Sequence, residues 1–168
     1  MSKKVILFLL MALFYFDLYA TSELQIKAVF LKKFTHLIEW PADNKADFNI
    51  CVINDKGFSN ELKNIYAHQT FKEKTVSIID LLEDMPIPDC QLLFIGKHTQ
   101  NIQKTMRSIS KRSILTVSDN QDFVKDDVII TMFLNKNRFR YIINNKTAKN
   151  AGIQISYLLL KSAQEVIK

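Results

Sequence analysis

The sequence predicts an α/β fold in which a mostly parallel central sheet carries helices on both faces and an antiparallel hairpin is added at one side. Three observations predict it. Short apolar runs of strand type recur at Phe48–Ile53, Leu92–Gly96 and Ser113–Val117. Segments of helical period alternate with them, the pattern that builds βαβ units. Near the carboxyl end, Val128–Leu134 and Phe139–Ile143 flank Asn135-Lys136-Asn137, the signature of a hairpin around a turn.

The first twenty residues read as an export signal. Lys3 and Lys4 precede the apolar run Val5–Phe16, which as a helix reaches only ~18 Å against a hydrocarbon core of ~30 Å. Asp17 would lie in lipid if the run continued, so a cleaved secretory signal over residues 1–20 is preferred to an anchor. Residues 21–168 are then expected to form a single α/β domain, long enough to bury its own core.

From Glu23 to Trp40 the residues Ile26, Val29, Phe30, Phe34 and Leu37 recur at helical spacing, and Trp40-Pro41 predicts the stop. A second stripe of Leu24, Ala28, Leu31 and Ile38 widens the apolar face. Burial on two sides explains such a face; so does contact with a partner or a second copy. On the second reading Leu24, Leu31, Ile38 and Trp40 are the candidate interface residues. The strand Phe48–Ile53 is followed by the turn Asn54-Asp55-Lys56-Gly57 and a helix with Phe58, Leu62, Ile65 and Tyr66 on one side. A short strand is expected at Thr75–Ile79, a breaker at Pro86-Ile87-Pro88, and a fully buried strand at Leu92–Ile95. Thr99–Ser110 has Ile102, Met106 and Ile109 on one stripe of a helix and Lys104 and Arg107 on the other. A long final helix is expected from the stripe Ile155, Leu158, Leu159, Ser162, Ala163 and Val166, with Gly152 near its start.

Net charge is +6, and +5 without residues 1–20. For an exported chain this mild basicity points to an envelope surface or an acidic partner face and away from nucleic acid. Two basic groups stand out, Lys97, Lys104, Arg107, Lys111 and Arg112, and Lys136, Arg138, Arg140, Lys146 and Lys149. Each suits anionic lipid or an acidic partner, but for each taken alone a solvated surface is favoured. Cys51 and Cys90 are the only cysteines. An even count in an oxidising compartment favours a disulfide over two buried thiols, and their spacing excludes a CxxC motif.

Catalytic machinery is not legible. His36, His68 and His98 have no metal-ligand spacing, and Gly57, Gly96 and Gly152 cannot make a phosphate loop. No GxSxG elbow is present, and Asp119, Asp122, Asp126 and Asp127 lack the glycine and terminal glutamate of a hand-type calcium loop. No cofactor, metal site or enzymatic activity is expected. A ligand-binding module remains open. Its pocket would lie at the carboxyl ends of the strands, near Asn54, Ser118 and Asp119, where open α/β sheets bind ligands.

Several segments in order resemble the YfiR family of periplasmic proteins. Ile26-Lys27-Ala28-Val29-Phe30-Leu31 with Phe34 and Trp40-Pro41 resembles its opening motif. Cys51-Val52 with Gly57-Phe58, and Cys90 with Leu93-Phe94-Ile95-Gly96, resemble its two cysteine strands. Leu115-Thr116-Val117-Ser118-Asp119, Phe123, Ile143-Asn144 and Ala151-Gly152-Ile153-Gln154-Ile155-Ser156 with Leu158-Leu159 follow the rest. The resemblance implies a homodimeric periplasmic regulator that represses a membrane diguanylate cyclase by binding its periplasmic sensor domain, and so lowers cyclic-di-GMP. It also implies capture by an outer-membrane lipoprotein and a Cys51–Cys90 disulfide. The chain departs from the family in two places. It lacks the cysteines of a second disulfide, and Asp126-Asp127 stands where a glycine pair is common. A regulator serving another sensor, such as a histidine kinase, is the alternative.

Overall fold

The structure is a computed structural model describing residues 22–43, 45–136 and 138–168. The expected signal, residues 1–20, lies outside the described residues. Helix α1 spans Glu23–His36, started by Ser22, whose hydroxyl accepts from the Gln25 amide. It ends four residues before Trp40. Leu37 donates to the Phe34 carbonyl, and Ile38–Glu39 leaves the helix as strand β1. The reason is a partner remote in sequence. Ile38 and Glu39 pair with Ile155 and Gln154, and Ser156 N–H donates to the Leu37 carbonyl, so the backbone there is satisfied without helix.

Strand β2 (Asp47–Ile53) is followed by α2 (Lys56–Tyr66), capped by Asp55, which accepts from the Phe58 amide. Strand β4 runs over Lys74–Leu81, longer than expected, and Thr70–Phe71 forms an unanticipated antiparallel edge strand, β3. Then come β5 (Leu92–Ile95), α3 (Ile102–Ser108), β6 (Leu115–Ser118) and a 3-10 helix at Gln121–Asp126. Strands β7 (Ile130–Asn135) and β8 (Arg138–Asn144) form the expected hairpin, paired from Ile130–Ile143 to Asn135–Arg138.

The expected long final helix does not exist. In its place are α4 (Asn145–Asn150), β9 (Gln154–Ile155), α5 (Tyr157–Ser162) and β10 (Glu165–Ile167). Ser156 restarts the helix as its cap, and Ala163 ends it in extended conformation. Beyond it, Glu165–Ile167 runs parallel to β8. The apolar spacing of this segment is compatible with one helix, but ladder bonds to β1 and β8 fix two of its pieces as strand.

The sheet order is β10-β8-β7-β6-β5-β2-β4-β3, parallel except at β7–β8 and β3–β4, with β1–β9 as a separate antiparallel pair. Alternation in the central strands sends Ile50, Val52, Leu92, Phe94, Leu115 and Val117 to one face, where α1 and α2 cover them with Leu31, Phe34, Phe58 and Leu62. Cys51, Ile53, Leu93 and Ile95 point to the other, covered by Ile102, Ile109 and Phe123. Helices on both faces of a mostly parallel sheet with an added hairpin is the fold the sequence predicts.

Candidate functional site

The carboxyl ends of β5 and β6 meet the first turns of α1. Lys27 lies on the same stripe as Leu31 and Phe34, and its ammonium pairs with Asp119 at 2.8 Å and Glu23 at 2.5 Å. The side chains of Lys27 and Asp119 are only 5% and 2% exposed, whereas Glu23 is open to water. Burial disfavours the ammonium, but the hydrogen bonds with Asp119 and Glu23 outweigh it and hold Lys27 above its ordinary pKa. The bond to Lys27 in turn lowers Glu23. One oxygen of Asp119, Oδ1, is buried without a hydrogen-bond partner.

This arrangement fastens α1 to the strand ends and occupies the groups expected to line a ligand pocket. Ser118 is fully buried, and its hydroxyl donates to the Ile95 carbonyl at 2.7 Å and accepts from the Asn120 amide at 3.1 Å. Asp119 commits its Oδ2 to Lys27 and leaves Oδ1 unpartnered. Asn54, at φ 54°, donates its side-chain amide to Glu83. It borders a cavity of about 420 Å³ with Asp55, Asp80, Leu82 and Met85, which Ser118 and Asp119 do not line. The structure therefore does not bring Asn54, Ser118 and Asp119 together as one pocket. The only sequence signal for Lys27 as a site residue is its helical spacing from Leu31 and Phe34.

The four expected interface residues divide. Leu31 and Ile38 are 0% and 1% exposed and belong to the chain's own core, so in this fold they are closed to a partner. Leu24 and Trp40 are half-buried. The Trp40 ring packs edge-on to Phe48, its centroid 5.2 Å away, and its Nε1–H donates to the Gln91 carbonyl at 2.9 Å. Among the described residues the exposed large apolar side chains are elsewhere: Val29 on the outside of α1, Tyr157 and Leu158 at the start of α5, Leu82 and Met85 after β4, and Leu134 in β7. The β1–β9 pair carries α5 to the carboxyl end of α1.

Cys51 and Cys90 form a disulfide with Cα atoms 6.0 Å apart. It ties β2 to the segment entering β5, within the core of the face that α3 covers. Among the described residues no group of three His, Cys, Asp or Glu side chains is placed to hold a metal ion. No described helix is long and apolar enough to cross a membrane.

The order of these features agrees with one family. The model of the YfiR/HmsC-like family, DUF4154, matches residues 24–164. The chain belongs to the YfiR/HmsC-like family. At family level this places it among periplasmic regulatory proteins. No curated protein matches the chain significantly. Among solved structures, a conserved domain protein from Vibrio cholerae O1 biovar El Tor strain N16961 is similar, with TM-score 0.61 and 10% identity, over 86% of this chain and 60% of that one. The chain thus spans about 60% of that protein's length, and the likeness is one of fold.

Proposed function

We propose that this YfiR/HmsC-like protein is a non-enzymatic repressor that binds the periplasmic sensor domain of a membrane diguanylate cyclase and lowers cyclic-di-GMP. The observation that carries the reading is the family match over residues 24–164. Residues 1–20 act as a cleaved export signal, and residues 21–168 work as a single domain. A repressor of this kind needs only to bind one state of the sensor more tightly than the other. The candidates for that contact are the exposed Val29, Tyr157 and Leu158 and the half-buried Leu24 and Trp40. Homodimer formation and capture by an outer-membrane lipoprotein complete the proposal.

The test is the cellular cyclic-di-GMP level in a strain lacking the protein, with and without a plasmid copy. A rise that the plasmid reverses supports repression. An unchanged level across growth conditions moves the assignment to another sensor, such as a histidine kinase.

A further inference from the structure

A cleft opens between α3 and α4, at the flank of the sheet face that carries the disulfide. Its inner recess, about 70 Å³, is lined by Ile109, Ile114, Ile129 and Ala151, and by Arg112, whose guanidinium donates to the Ile87 and Pro88 carbonyls. The polar atom at its floor, the Thr116 hydroxyl, already accepts from the Ile129 amide at 2.9 Å, so the recess offers an apolar lining. Met106, Ser110, Thr147 and Asn150 are shared with an outer cavity of about 440 Å³, whose mouth holds Arg107, Lys146 and Asp127. Arg107 and Lys146 come from the two separate basic groups of the sequence, and the fold brings them to one opening. Among the described residues neither is in an ion pair. Asp127, the left-handed cap (φ 63°) of the 3-10 helix, accepts from the Thr147 hydroxyl at 3.2 Å.

We propose that this cleft binds a small monocarboxylate with a short hydrocarbon tail, its head between Arg107 and Lys146 and its tail in the recess. Two cations against one acid leave a single net positive charge at the mouth, which matches a monoanion better than a phosphate dianion. Ser110, Thr147 and Asn150 add uncharged hydrogen-bonding groups around the head, and desolvation of the tail supplies the apolar contribution. The site is separate from the partner surface proposed above and does not depend on it.

Hexanoate is the probe, with 1-hexanol sharing its tail and acetate its head. Each is titrated into the mature protein and followed by amide NMR. Hexanoate should bind about tenfold more tightly than either control and shift the amides of Ile114, Thr116 and Ile129. R107Q/K146Q, at exposed positions, should weaken hexanoate about tenfold and leave hexanol unchanged. D127N keeps an acceptor for Thr147 and tolerates the left-handed backbone; it should strengthen hexanoate alone. Equal binding of hexanol and hexanoate, indifference to both variants, shifts confined to another region, or no saturable binding would each overturn the proposal.

Discussion

Lys27 has two partners, and only one of them is buried with it. Removing its charge leaves Asp119 uncompensated in a dry position, whereas removing both groups leaves an apolar contact. Lys27→Met should therefore cost about 3–5 kcal/mol, and the double variant Lys27→Met/Asp119→Leu should recover most of that loss. Urea denaturation of the two variants checks this; a single substitution within about 1 kcal/mol of the parent would show that water already reaches the pair. Leu31 and Val29 make a second contrast, on one helix. Leu31 is enclosed in the core and Val29 is 55% exposed. An aspartate at 31 should abolish the cooperative transition, and one at 29 should change stability by about 0.5 kcal/mol or less. If the proposed partner surface is correct, Val29→Asp also weakens repression in cells while the protein stays folded.

The elements depend on two close approaches between β2 and β5. Gly96 follows β5, and a Cβ there would lie 2.8 Å from the Ile53 carbonyl oxygen and 3.0 Å from that of Asn54. Both obstacles are backbone, so neither can rotate away. Gly96→Ala should cost about 1–3 kcal/mol by forcing the strand ends apart, measured as a lowered urea midpoint. Two residues before the Ile53 end of β2, Cys51 bridges to Cys90, just ahead of β5, across 39 residues of sequence. Reducing it should cost up to roughly 4 kcal/mol through the freedom returned to the unfolded chain. Urea midpoints with and without reductant give the value, and equal midpoints would show that the bridge constrains nothing the ladder has not already fixed.

Across the molecule, charge sets the pH range of stability. Lysine hydrogen bonds lower the pKa values of Glu23, Asp43 and Asp80, through Lys27, Lys74 and Lys63 respectively. A carboxyl lowered on folding stabilises the protein above its unfolded pKa of about 4, and that contribution is lost as pH falls through the folded value. Lys27 has the opposite sign. Raised on folding, it contributes below about 10.5 and loses that contribution as pH rises through its folded pKa. The melting temperature should hold a plateau between about pH 5 and pH 10 and fall on both sides. The acid limb should shrink in high salt, because its carboxyls are partly exposed and screened, and an acid limb indifferent to salt would place the transition on buried groups instead.

The central strands were legible because their evidence is local. Runs such as Leu92–Ile95 are buried on both faces, and burial of that kind selects apolar residues at every position. The hairpin was legible for a related reason, since its two strands and turn are contiguous and pair in register. Other features depended on partners far away in the chain. Ile38 and Ile155 become strand only because they meet each other, and Glu165–Ile167 becomes strand only beside β8. Their spacing had read as helix because apolar periodicity reports which side is buried and not what covers it. The same holds for the site. Asp119 was visible as an acid at a strand end, but whether it faced a ligand or a lysine was decided by packing α1 across the sheet. Fold class and family were thus carried by local pattern and motif order. The burial of Leu31, the Lys27–Asp119 pair and the meeting of Arg107 with Lys146 were decided by tertiary contact, because long-range proximity leaves no signature in a single chain's local spacing.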